Sequence, residues 1–429
     1  MRGMYWKPEG ATQVQRALVG ALAIIGLIAV QVFPTEERQP HYAEKMLAAR
    51  KAQEALDVIH DASEEKGIPL HPKTDPSGSR IIGAVLSPIT SGSGSLLSKQ
   101  TTVNPNFAAV VVQWLKELKV KSGDVVAVGV SGSFPAMNVA VYAACDELGI
   151  EPIVISSTAA SQYGANDPNF TWLDMEALLR KSEVFPFKSV AASLGGVGDD
   201  AIGLTKQGRR MLERAIERNR VPALSEIKPE STKQAKDEQT EDDGEERTPT
   251  LGLIDQDRVR ERMHVYYEAA GDRPIKAYIN VGGGTVSVGT KVGKHKFVPG
   301  LNTRPPKGMK DLPPSVIGAF LETGVPGIHV TRIIDLAEEY GLEIAPQVTP
   351  EVGAGDIFQK RQPNRWLAGI VLALILMSLF VIARAPWGTR MLRTTIPPES
   401  ILPPPPRIPT PPAPRPDQGD GGGTPLNPP

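Results

Sequence analysis

Two stretches of the chain are apolar throughout. Residues 17–33, ALVGALAIIGLIAVQVF, and residues 366–383, WLAGIVLALILMSLFVIA, contain no charged side chain. At about 1.5 Å per residue a helix of that length spans most of the roughly 30 Å hydrocarbon core of a bilayer, so both predict transmembrane helices. PTEER follows the first run in place of a small-x-small cleavage site, which favours an uncleaved anchor over a signal peptide. Next, residues 42–66 place Ala43, Met46, Leu47, Ala52, Ala55, Leu56, Ile59 and Ala62 mostly at three- and four-residue spacings. That periodicity predicts an amphipathic helix, read as a stalk leaving the membrane.

From residue 107 the pattern alternates. Helical periodicity at 107–119, 136–148, 171–181 and 205–220 is interleaved with the short apolar runs DVVAVGV (124–130), PIVISS (152–157) and KSVAASL (188–194). Apolar runs without alternating polarity, separated by helices, predict parallel strands covered on both faces. The expected class is α/β, a doubly wound, mostly parallel and Rossmann-like sheet flanked by helices and carried between two transmembrane helices. A helix at 255–270, a strand KAYINV at 276–281 and helical patterns at 315–322 and 331–340 either complete that sheet or form a second lobe. Residues 228–250 almost lack apolar side chains and predict a disordered charged insertion. The last stretch is rich in Pro and Gly and predicts an extended tail.

The expected organisation is a cytoplasmic N-terminus (1–16), a first transmembrane helix (17–33), a stalk and loop (34–80) and an α/β domain (81–227). The insertion (228–250), a continuation or second lobe (251–360), a second transmembrane helix (366–383) and the tail (384–429) follow.

Charge narrows the partners. The 47 basic and 48 acidic residues give a formal net charge of -1, so no nucleic-acid partner is expected. Arg2, Lys7 and Arg16 precede the first apolar run, and Arg38 is the nearest basic residue after it. The positive-inside rule then leaves the N-terminus cytoplasmic and the main domain extracytoplasmic at the cell membrane; the flanks of the second run are balanced. Cys145 is the single cysteine, which excludes an intrachain disulfide and a Cys-rich metal centre and predicts a small buried side chain.

Open α/β sheets bind ligands beyond the carboxyl ends of their strands, so candidate chemistry is sought there. VAVGVSGSFPAMN (126–138) ends a strand in Ser131, Gly132 and Ser133 before a helix that carries Asn138. Its small residues leave room for backbone N–H groups to hold a carboxylate or phosphate, and a tight turn capped by serine is the plainer alternative. GVSGS ends in Ser where the nucleophile elbow G-x-S-x-G requires glycine. The segment 155–179 offers Ser161, Tyr163 and Asn166 for ligand contact, while its Asp174 and Glu176 suit the positive end of the next helix.

SLGGVGDDAIG (193–203) adds Gly195 and Gly196, and its vicinal Asp199 and Asp200 are weak oxygen ligands for a hard cation. AYINVGGGTVSVG (277–289), with Gly282, Gly283 and Gly284, reads as strand, glycine turn and strand. It is similar to the phosphate hairpin of actin-like ATPases but has Asn280 where they carry an acid, and close backbone approach to a ligand is the preferred reading. These strand-end loops are expected to line one crevice. His329 sits near an apolar strand end, and the order Ser131, Asp200, His329 matches that of α/β hydrolases. No metal and no cofactor is assigned.

The ordered combination of VSGSFPAMN, ISSTAASQYGANDPNFTWLDME, LGGVGDDAIGLTKQGRRMLERAIERN and INVGGGTVSVG, framed by two anchors, resembles the poly-gamma-glutamate system protein family over residues 17–348. The resemblance implies a membrane component of the bacterial cell envelope that helps make, export or anchor this exopolymer. It implies as partners the poly-gamma-glutamate ligase and a polytopic membrane subunit, and it brings no catalytic residue. The first expectation is an accessory subunit whose loop crevice receives the carboxylate-rich polymer. A serine hydrolase or transferase that trims it, with Ser131 as nucleophile, and a non-binding scaffold of the synthase complex are the alternatives.

Overall fold

The computed structural model describes residues 13–227 and 256–384, so the expectations for the extreme N-terminus, the charged insertion and the tail lie outside the described residues. The described chain divides into an α/β body within residues 33–364 and a separate helix pair.

The body is built on a six-stranded sheet. Its strands are β1 (Val125–Ser131), β2 (Glu151–Ser157), β3 (Ala191–Ser193), β4 (Ile275–Val281), β5 (Gly300–Asn302) and β6 (Gly327–Val330). They lie in the order β3-β2-β1-β4-β6-β5, parallel except for β5, which runs antiparallel to β6 at the edge. The mostly parallel α/β sheet read from the sequence is therefore present. Val128 lies opposite Val154 on one side and Ile279 on the other, so these apolar runs pair with one another.

The helices of the body are α1 (Tyr42–Glu65), α2 (Phe107–Glu117), α3 (Pro135–Glu147), α4 (Trp172–Lys181), α5 (Lys206–Arg218), α6 (Gln256–Ala270), α7 (Val316–Glu322) and α8 (Ile333–Glu339). Successive side chains of a strand point to opposite faces, and both faces are apolar here. Val126, Val128 and Val130 enter a core with Ala52, Ile59, Phe107, Val111, Trp114 and Val141. Val125 and Ala127 enter a second core with Tyr266, Tyr278, Val316 and Phe320. That double burial is why the strands read as unbroken apolar runs.

The structure adds detail where the sequence was open. The segment after the insertion supplies β4 to the middle of the sheet, so it continues the same sheet. α1 packs on α2 and α3 through Ala48, Ala49, Ala52, Ala55 and Ile59, and is a layer of the body more than a free stalk. The stretch after Gly284 is a single helical turn, Thr285–Val288, where a strand was expected. β4 already has a parallel neighbour on each side, which leaves no place for a returning hairpin strand and removes the likeness to the ATPase hairpin.

A two-stranded ribbon joins the two ends of the body. Thr35–Arg38 pairs antiparallel with Gln359–Gln362, setting Glu36 opposite Arg361 and Glu37 opposite Lys360. In the other unit, the helices Gln13–Val32 and Arg365–Arg384 pack together, and both are long and apolar enough to cross a membrane. Gly26 sits against Val371, where an added Cβ would fall 2.2 Å from Val371 Cγ1.

Candidate functional site

The strand order reverses between β1 and β4: from β1 the chain builds outward through β2 and β3, then returns to add β4 on the other side. Connections that leave a reversal point in opposite directions open a crevice beyond the carboxyl ends of the two strands. The loops at 132–134, 158–165, 194–203 and 282–284 gather there. A Cβ on Gly282 would lie 3.3 Å from Ser131 Oγ and 3.5 Å from the Phe134 ring. A Cβ on Gly195 would lie 3.1 Å from the Ala159 amide nitrogen, and the Gly198 N–H donates to Thr285 Oγ1 at 2.9 Å.

Several of the candidate residues build the crevice wall through bonds to one another. The Gly132 N–H donates to the Ser157 carbonyl at 3.1 Å, and the Gly132 carbonyl accepts from the Ala165 N–H at 2.7 Å. The Ser133 N–H donates to Ser131 Oγ at 3.3 Å, while Ser133 Oγ accepts from the Ser161 N–H at 3.1 Å. The serine–glycine loop is thus a clamp between the ends of β1 and β2. Asn138 is fully buried in the first turn of α3; its Nδ2 donates to the Ser131 carbonyl at 2.9 Å, and its Oδ1 has no hydrogen-bond partner among the described residues.

Tyr163 adopts a φ of 63° and donates its backbone N–H to Ala84. Asn166 Oδ1 accepts from the Ala84 N–H, and its Nδ2 donates to the Ala84 carbonyl and to Thr90 Oγ1, which ties down the 84–90 loop. Gly195, Gly196 and Gly282 take φ of 80°, 75° and 93°, a region other residues rarely enter. Gly284 differs: it is exposed with φ of -55°, and an added Cβ would approach only the Ser287 side chain at ordinary contact distance.

The two vicinal aspartates turn away from each other. Asp199, 8% exposed, pairs with Arg262, 1% exposed, through a 2.7 Å contact from Nε to Oδ2. Ser193 Oγ donates to Asp199 Oδ1 at 3.0 Å, and Arg262 Nη2 donates to Ser157 Oγ at 2.9 Å, so the ends of β2 and β3 share one buried polar network. Asp200 pairs with Arg258 at 2.6 Å, and burial raises its carboxyl above the ordinary aspartate value against the pull of that guanidinium. Among the described residues no group of three or more His, Cys, Asp and Glu is placed to hold a metal ion.

The hydrolase-like order does not assemble into a relay. His329 is fully buried on β6 with β4 between it and β1, and its Nδ1 lies 3.1 Å from Asn280 Nδ2. Asn280 also donates to the Gly282 carbonyl at 2.6 Å, Asp200 belongs to Arg258, and Ser131 Oγ accepts the Ser133 amide. Asp174 does serve the start of α4, accepting from the Thr171 N–H and hydroxyl and pairing with Arg218. Glu176 instead lies buried against the Tyr142 hydroxyl and Ser189, and burial raises its carboxyl pKa.

The sequence reading passed over two basic residues. Arg262 shares its helix face with Val259 and Tyr266, so a cation on an apolar stripe was a visible signal. Lys99 carried none, standing in the polar run SGSGSLLSKQTT. It is 2% exposed on the short helix Leu96–Thr102; its Nζ donates to the Ser133 carbonyl, lies 2.9 Å from Ser161 Oγ and stands 3.9 Å above the centroid of the Phe134 ring. No carboxylate among the described residues pairs with it, and burial depresses its pKa to about 7.

Comparison of the chain with family models, curated proteins and solved structures finds no match.

Proposed function

We propose that the chain is a membrane-anchored accessory component of poly-gamma-glutamate synthesis, export or anchoring. Its α/β body lies outside the cytoplasm and takes the carboxylate-bearing polymer in the crevice between β1 and β4. The polymer is named by the sequence blocks at 130–138, 155–176, 194–219 and 279–289, whose resemblance also brings the ligase and a polytopic subunit as partners. The two paired apolar helices support membrane attachment. The observation that carries the binding role is the reversal of strand order at β1 and β4, with strand-end loops meeting over it.

The test uses an obstruction that the fold tolerates. Gly132→Val is unsuitable, because a Cβ there falls 3.1 Å from the Thr158 carbonyl and from Ala160 Cβ and disturbs the wall itself. Gly284→Leu adds bulk at an exposed position with room. Retention of labelled poly-gamma-glutamate by the detergent-solubilised full-length protein is expected to fall at least tenfold in Gly284→Leu, with abundance and melting unchanged. Equal retention by the variant, or none by the wild type, overturns the crevice reading.

A further inference from the structure

We propose that Ser161 and Lys99 form a nucleophile–base pair that transfers an acyl group from an amide or ester. The inference stands apart from the polymer reading, because it rests on a contact that the crevice does not need. A lysine taken out of water ordinarily sits beside a carboxylate. Lys99 has instead a carbonyl, an aromatic face and a hydroxyl. That hydroxyl belongs to Ser161, which is only partly buried, so the base is shielded while the oxygen beside it is open to a substrate.

Each member of the pair is held from a different part of the chain. Lys99 is positioned by the short helix Leu96–Thr102 and by the Ser133 carbonyl. Ser161 belongs to the two-residue strand Ala160–Ser161, which pairs with Thr90–Gly92, and its N–H is tied to Ser133 Oγ. The arrangement meets the first geometric requirement of a serine–lysine mechanism, a nucleophile within hydrogen-bond reach of a base that a third group orients. Burial supplies the second, since it favours the neutral amine that accepts a proton near neutral pH.

The chemistry balances without a metal or redox partner. Neutral Lys99 Nζ takes the Ser161 hydroxyl proton as Oγ forms a bond to the acyl carbon. The carbon–heteroatom bond to the leaving group then breaks, and the Lys99 ammonium returns the proton to the departing amine or alkoxide. Water attacks the acyl-Ser161 ester, giving its proton to Lys99; the ester C–O bond breaks, the acid is released and the proton returns to Ser161 Oγ.

The test is covalent labelling of the full-length protein in detergent with a fluorophosphonate, in which Ser161 Oγ forms a bond to phosphorus as fluoride leaves. Mass spectrometry is expected to place the adduct on Ser161. Ser161→Ala abolishes it, and Lys99→Met slows it at least a hundredfold. Lys99→Arg does not rescue, because a guanidinium stays protonated. Melting and protease resistance confirm that each variant is folded, and the wild-type arm stands alone if a lysine variant fails to fold. An unlabelled Ser161 in folded wild-type protein, an adduct on another serine, or an unchanged rate in folded Lys99→Met overturns the assignment. None of these outcomes depends on polymer retention, so failure here and failure of the crevice reading are separable.

Discussion

Lys99 is buried where its charge finds no carboxylate, and this sets the sign of a stability effect. The unfolded side chain titrates near 10.5 and the folded one near 7, so between those values the unfolded state binds more protons and stability rises with pH. Below about pH 7 both states are charged and the folded protein bears the whole penalty. Lys99→Met removes that penalty and leaves the Ser133 carbonyl without its donor, an offset of about 1–3 kcal/mol. A net gain of roughly 1–3 kcal/mol at pH 7 is expected, since each pKa unit is worth about 1.4 kcal/mol. Denaturant titrations of both proteins at pH 7 and pH 10 check it: the wild type gains stability over that interval and the variant does not. A more stable variant that no longer takes the fluorophosphonate marks a residue kept for chemistry. The glycines and serines at the strand ends were legible because fold class alone tells where loops become functional. Lys99 was not, since its environment comes from Ser133 and Ser161, 34 and 62 positions away.

At the scale of elements, periodicity served well wherever a segment buries one face or both. The pattern at 107–119 becomes α2 (Phe107–Glu117), and DVVAVGV becomes β1 (Val125–Ser131). It misled at Thr285–Val288, where four residues are too few to show a helical period and the β-branched composition suggested a strand. The paired apolar helices make their own prediction. Gly26→Leu places side-chain atoms where Val371 already lies, and overpacking of this kind costs about 1–3 kcal/mol. The melting temperature of the full-length protein in detergent is expected to fall, and Val371→Ala in the same chain is expected to restore much of it. Failure of that rescue shows that the two helices do not meet at Gly26.

For the whole molecule, the side of the membrane that holds the body is open to direct measurement. Cys145 is fully buried and burial raises its thiol pKa to about 12, so the native chain gives little background with a thiol reagent. Ser182→Cys, at the exposed end of α4, is expected to react with a membrane-impermeant maleimide in intact cells. Reaction only after lysis places the body in the cytoplasm and removes the extracytoplasmic reading. The sequence by itself determined the class of fold, the apolar helices and the strand ends where a site belongs, because each follows from the local spacing of apolar residues. Tertiary structure alone decided that the segment after the charged insertion enters the middle of the sheet as β4, that Ser131, Asp200 and His329 are engaged separately, and that Lys99 meets Ser161. Those outcomes depend on strand order and on contacts between distant loops, and neither is encoded in the spacing of residues along one segment.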